Sequence, residues 1–295
     1  LAPVSDFREN VSIWLASLGM VFRISSADPY PFAVIEIMEG GISILQLKLI
    51  DLKTWAELPA GAQDTLILSL RNDKDLQADK NEVVIWQDLW ESRQGIVKSR
   101  VAALLGISQR IPARVTQVRR IDKQTATDFL EASHLQGAVS SRIRYGLFLP
   151  ERYYRLLSAA FLPVLPPTEL LVAVVTFSHP RTFLRDGNPH KSFEMIRFSN
   201  LIQSTVVGGL AKLLMAFSSD FHPDDIMTYA DLEWSGGTSY SKLGFTAVSE
   251  TSPIRFWLDP ITMCRYSEKQ AASLNLEECV SVYNLGSRKF VKIIV

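Results

Sequence analysis

Over residues 6–20 the apolar side chains Phe7, Val11, Trp14, Leu15 and Leu18 recur every three or four positions, which predicts an amphipathic helix entered from Ser5 as its N-cap. The period then shortens. Residues 32–38 and 42–50 are β-branched and apolar and are parted by Gly40-Gly41, a hairpin signal. Residues 83–86 predict a short buried strand, and 89–105 carry helical spacing that Gly106 stops. The pattern restarts with a strand over 113–121 and a helix presenting Ala126, Phe129 and Leu130. Strands at 145–149, 170–177 and 193–198 follow, then a helix over 204–217, a strand over 226–230, a short helix near 238–243 and a terminal strand pair. This order predicts an α+β chain of two domains divided near 107–112, with residues 1–109 in the first and 110–295 in the second.

The length of 295 residues suits two domains, and a composition 47% hydrophobic and 21% charged excludes wholesale disorder. The apolar run over 169–178 is about half of what a bilayer requires, so no membrane partner is expected. Cys264 and Cys279 lack metal-ligand spacing, and no basic-then-apolar leader opens the chain, which predicts a reducing, cytoplasmic setting without a disulfide scaffold. Formal net charge is zero, which excludes a protein that coats nucleic acid by bulk electrostatics. The distribution is polarised, however. Residues 1–92 hold 7 basic against 14 acidic side chains, and 93–123 hold 8 against 1, including Arg119 and Arg120. Such a stretch is read either as a solvated face or as a phosphate-contacting patch.

Candidate chemistry gathers in the second half. Gly208-Gly209 opens an amphipathic helix, so backbone N–H groups there are placed to hold an anion. The alternative is that the glycines serve close packing. Glu194 and Arg197, three apart on a strand, are expected on opposite faces. Trp234 and Trp257 are candidates to stack an extruded base, although core packing is the commoner fate of tryptophan. His179, His190 and His222 sit beside prolines and are read as surface loop residues.

The segments 204–217, 226–231 and 236–245 resemble the GNAT acyltransferase fold, in which a fourth strand feeds a phosphate-binding loop and helix and a later helix ends in Tyr-x-x-x-Gly-Phe. Here that ending is Tyr240-Ser-Lys-Leu-Gly244-Phe245, while the loop keeps its central glycine at Gly208 and departs from the pattern at Thr205 and Leu210. A narrower resemblance is to Mom-type phage proteins that modify adenine in DNA and to similar domains of phage endonuclease-like proteins. It runs through Phe129 to Gly137, Tyr145 to Leu147, Arg197 to Val207 and Tyr229-Ala-Asp231. The resemblance implies a C-terminal GNAT-like mixed sheet flanked by helices. It implies catalytic roles for His134 as base or metal ligand, Asp231 as orienting carboxylate and Tyr240 as acid. Thr205, Val207, Gly208, Gly209 and Lys212 would hold an acyl donor such as acetyl-CoA or another acyl or aminoacyl carrier, with no metal, and Arg197, Trp234, Arg119 and Arg120 would meet DNA.

In the first domain, Glu36 with Gln46-Leu-Lys48 resembles a degenerate PD-(D/E)xK nuclease signature, in which carboxylates bind a divalent ion and the lysine positions water. Strand alternation produces such a set by chance, and the domain is read as DNA-recognising, of degenerate restriction-endonuclease-like fold. Three functions stay open: a transferase acting on a nucleobase in DNA, with the adenine exocyclic amine favoured; a DNA-binding or nicking module on a non-catalytic GNAT-like scaffold; and a small-molecule or protein N-acetyltransferase. Oligomeric state is not legible in the sequence.

Overall fold

The computed structural model describes residues 6–26, 30–76, 81–162, 165–272 and 275–294. The chain groups into two compact units that are discontinuous in sequence: unit 1 comprises Leu1–Gln94, Ala230–Thr238 and Ser249–Arg288, and unit 2 comprises Gly95–Tyr229, Ser239–Val248 and Lys289–Val295. The expected single cut at 109/110 therefore differs from the grouping observed. Residues 95–109 go with the second unit, and most of the late strands return to the first.

Unit 1 begins with α1 (Phe7–Ser17), whose N-cap is Asp6, accepting the Arg8 N–H; the expected cap Ser5 lies outside the described residues. Phe7, Val11 and Leu15 form its buried stripe, as the spacing predicted. The strands β1 (Val21–Ser26), β2 (Ala33–Glu39), β3 (Ile42–Ile50) and β4 (Glu82–Trp86) form one sheet in that order. Its first two pairings are antiparallel and β3–β4 is parallel. Between β3 and β4 run α2 (Leu52–Glu57) and α3 (Ala60–Leu76), which the sequence pattern did not reveal. The helix predicted over 89–105 is two helices, α4 (Gln87–Ser92) and α5 (Gln94–Leu104), broken at Arg93 with φ −132°.

In unit 2, β5 (Gln109–Pro112) leads through a 3-10 turn over Ala113–Val115 to β6 (Gln117–Arg120). Then come α6 (Lys123–Ser133), β7 (Ile143–Pro150), β8 (Glu169–Phe177), β9 (Arg181–Arg185) and β10 (Asn188–Asn200). The helix expected over 204–217 begins later: Ser204–Val207 form β11, parallel to β5, and α7 runs from Gly209 to Phe221. The remaining unit 2 elements are β12 (Asp225–Asp231), α8 (Thr238–Lys242) and β13 (Thr246–Glu250). The chain then supplies β14 (Arg255–Asp259), β15 (Cys264–Ser267) and β16 (Val280–Tyr283) to a small sheet of unit 1 before closing with β17 (Ser287–Ile293).

The large sheet has the order β13-β17-β12-β10-β8-β7-β6, with β9 added on β10. It mixes parallel and antiparallel pairs and is covered on both faces. Ala126 and Leu130 of α6 pack on Val174, while Phe217 of α7 stacks on Phe177 at 3.7 Å, and residues 174 and 177 of one strand face opposite ways. The fold is thus α+β, a mixed sheet flanked by helices. The fourth strand along the β6-β7-β8-β10 path leads through β11 to Gly208 and α7, close to the strand, loop and helix order that the GNAT resemblance implies.

The unit 1 core contains Trp55 and Trp86, both fully buried and 5.0 Å apart edge-to-face. Their N–H groups are satisfied, Trp55 on the Ser281 carbonyl and Trp86 on a Glu233 oxygen at 2.8 Å. A buried ion pair closes this unit from the side. The Arg265 guanidinium on β15 meets the Asp88 carboxylate on α4 with two parallel bonds of 2.6 and 2.9 Å.

Candidate functional site

The site in unit 2 is built where two strands stop pairing. β10 and β12 run parallel in register only for Ser192–Glu194 against Asp225–Met227, after which β10 pairs with β8 alone. At the parting point the Thr228 hydroxyl on β12 donates to the Met195 carbonyl on β10 at 3.0 Å. Tyr240 is carried back by α8 between the Phe245 and Phe290 rings, near enough to that same Thr228 side chain to interact with it. Burial pushes the Tyr240 pKa above its ordinary value of 10.0, against smaller opposing effects of Thr228 and the Arg100 charge. The phenol therefore keeps its proton at neutral pH, as a general acid must.

His134 caps the C-terminus of α6 on the sheet face that this helix covers. Its Nδ1 accepts the Gln136 N–H at 3.2 Å, so the neutral ring carries its proton on Nε2 and presents a donor. Burial, with the Arg197 and Arg100 charges added, lowers its pKa from 6.5 to about 3. The ring is thus neutral and offers a hydrogen-bond donor in an electropositive setting. The loop after His134 is fastened to β10. Ser199 donates to the Ser133 carbonyl at 2.8 Å, and Arg197 Nε donates to the Gly137 carbonyl at 3.3 Å.

Arg197 and Glu194 share a face, contrary to the alternation expected from their spacing. The reason is a β-bulge between Met195 and Arg197, which makes Arg197 rather than Ile196 the partner of Thr176. Arg197 thus turns towards the α6 side with His134. Arg100 of α5, whose charge acts on both His134 and Tyr240, is a member of the site that no local pattern marked. Thr228 is another.

Acidification checks the state of His134. Its folded pKa is lowered, so the unfolded chain binds the proton first as pH falls, and the imidazole weakens the fold between about pH 6.5 and about pH 3. We expect His134→Gln to flatten urea-melt midpoints across that window relative to the wild type; an unchanged slope would show a solvated histidine.

The glycines divide the two roles offered for them. Gly208 has φ +78° and caps α7 in the left-handed conformation, with no side-chain hydrogen bond on the cap. At Gly209 a Cβ would meet Val206 at 2.9 Å and Leu147 at 3.2 Å, so its lack of a side chain serves packing. The helix entry keeps its first-turn N–H groups directed out of the helix. Arg110 stands opposite Thr205 across the β5–β11 pair, and Arg114 lies in the 3-10 turn whose Ala113 is the nearest neighbour of Gly208; both arginines are exposed. This set of donors fits a phosphate-bearing group. Of the other candidates here, Val207 is exposed, Thr205 shares a 2.7 Å bond with Ser108, and Lys212 donates to the Ala113 and Thr116 carbonyls, which holds the 3-10 turn to α7. Gly208→Val should destabilise the chain by about 1–2 kcal/mol more than Gly208→Asn, since asparagine tolerates the left-handed region; equal denaturation midpoints would contradict that conformation.

Asp231 falls in unit 1. Its Oδ1 accepts the Glu233 N–H at 3.0 Å in the turn after β12, and its charge acts on Arg265. It belongs to the ionic network around Arg265. Trp234 is 3% exposed, so the expected base stacking meets a ring already packed in the core. Arg119 and Arg120 point to opposite faces of β6: Arg119 pairs with Glu169 and covers the Phe148 ring, and Arg120 lies over Tyr145 and Phe221. They do not form one patch. His190 is no loop residue either, because it sits on β10 bonded to Asp225 at 2.6 Å. His179 and His222 are exposed.

In unit 1, Glu36 bonds Gln46 at 2.7 Å and Arg23 at 2.8 Å, while Lys48 pairs with buried Glu82 at 3.0 Å and lies over the Tyr30 ring. Gln46 stands opposite both Glu36 and Glu82, so the strands do bring these side chains together. Among the described residues no group of three or more His, Cys, Asp or Glu is placed to hold a metal. Nor is any described helix long and apolar enough to cross a membrane.

No family model matches the chain, and no curated protein matches it. Solved structures with some likeness include the NatC complex bound to Gag peptide and CoA, at 9% identity, 61% coverage of this chain, 99% of that chain and a TM-score of 0.33. Arabidopsis thaliana NAA60 in complex with a bisubstrate analogue gives 11%, 61%, 99% and 0.33. The KacTA-DNA complex gives 16%, 45%, 86% and 0.28. Likeness at these scores is too slight to bear on function.

Proposed function

We propose that the chain is a GNAT-type acyltransferase whose acceptor is an amine on a nucleobase in DNA, the adenine exocyclic amine first among them. The observation that carries this reading is the parting of β10 and β12 with a protonated tyrosine beside Thr228 at the point of divergence. A coenzyme A-type donor, when bound, supplies an activated acyl group. The α7 entry behind Gly208, flanked by Arg110 and Arg114, would hold its phosphates. Tyr240 holds a proton at its phenol oxygen for a leaving group. His134 offers its Nε2–H, and Arg197 and Arg100 make the surroundings electropositive, which favours a polyanionic acceptor over a cationic one. No chemical step is assigned to Asp231.

Mass spectrometry of nucleosides from DNA of expressing cells tests the reading. A modified deoxyadenosine is expected with the wild type and not with Tyr240→Phe, and unmodified DNA at good expression of the wild type would overturn it.

A further inference from the structure

A cleft of about 240 Å³ lies between α6 and the sheet in unit 2, walled on its apolar side by Ala126, Leu130 and Val139. Thr176 of β8 forms part of its lining, with Arg144 of β7 and Lys123 at the start of α6. Thr176 is 1% exposed, and its hydroxyl oxygen has no hydrogen-bond partner among the described residues. An unsatisfied buried hydroxyl is a standing cost to the fold, and valine would fill the same volume on a strand without it. Arg144 is held in place by Ser141, to which its Nε and one terminal nitrogen donate. The lining therefore joins an apolar wall, two cations, an orphaned hydroxyl and the Glu131 carboxylate, one oxygen of which is taken up by the Ala138 N–H.

We propose that this cleft binds a small organic anion, a carboxylate or phosphate monoester on a compact apolar body. The anionic group meets Arg144 and Lys123, the body lies along Ala126, Leu130 and Val139, and the Thr176 hydroxyl reaches a polar atom of the ligand by turning about χ1. This site needs neither the acyl donor nor Tyr240, and so goes beyond the transfer reaction proposed above.

Calorimetric titration of the full chain with benzoate, phenyl phosphate and inorganic phosphate tests it. Saturable binding is expected for benzoate or phenyl phosphate, whichever carries the preferred headgroup, and is expected to be weaker for inorganic phosphate, which lacks the body. Thr176→Val should weaken that binding about tenfold while raising the Tm of the free protein, and Arg144→Gln should weaken it without the rise. Tyr240→Phe should leave it unchanged. Absence of saturable binding by both organic probes, affinity unmoved by Thr176→Val and Arg144→Gln, or loss of binding in Tyr240→Phe would each overturn the proposal. Thr176→Ser, which keeps the hydroxyl, should retain binding and controls for misfolding.

Discussion

Tyr240→Phe should lower kcat for acyl transfer by about 10²–10⁴-fold, the range for removing a positioned general acid, with KM for the donor essentially unchanged. The phenol ring packs between Phe245 and Phe290, and phenylalanine keeps those contacts. What is lost is the proton and the contact of the hydroxyl with Thr228, whose own bond to Met195 survives. Stability should therefore change little while turnover collapses. Since burial raises the Tyr240 pKa, the alkaline fall in activity from this group should lie above pH 10. Steady-state kinetics of both proteins across pH decide the point: a variant with wild-type kcat would reduce Tyr240 to a packing residue.

Asp88→Ala should destabilise the chain by about 3–5 kcal/mol, because it strands a guanidinium in a site that was built for a pair. Asp88 is completely buried, and both of its oxygens are engaged by Arg265, which also lies over the Trp86 ring. Removing the carboxylate leaves Arg265 with the charges of Glu233 and Asp231, which act on it without replacing the two bonds to Asp88. Replacing both members, Asp88→Leu with Arg265→Met, should recover much of the loss, as an apolar pair carries no desolvation penalty. Urea denaturation monitored by tryptophan fluorescence measures this. A single-variant loss below about 1 kcal/mol would place the pair in effectively solvated surroundings.

Elements defined by their own periodicity were legible in the sequence: α1 from its apolar stripe, the β2–β3 hairpin from its glycine pair, β8 from its continuous apolar run. Where partners lie far along the chain, the local pattern misleads. Ser204–Val207 continues the helical spacing of α7, yet it pairs with β5 nearly a hundred residues earlier and is a strand. The β-bulge that turns Arg197 to the α6 face leaves no mark on the alternation. Nothing local to His190 announces Asp225, and nothing local to 255–283 shows that these strands rejoin the first unit. Of the candidate site, Gly208 and Tyr240 could be read from glycine placement and a family-like ending. Arg100 and Thr228 are added by the fold alone, and Lys212 is drawn off to hold a turn.

The α7 entry and the β10–β12 opening should take a coenzyme A-type donor. Calorimetric titration of the full chain with acetyl-CoA tests it most directly. Saturable one-to-one binding that Gly208→Val and the double change Arg110→Ala with Arg114→Ala both weaken is the predicted result, and no binding to the folded wild-type chain, or binding indifferent to both variants, would contradict it.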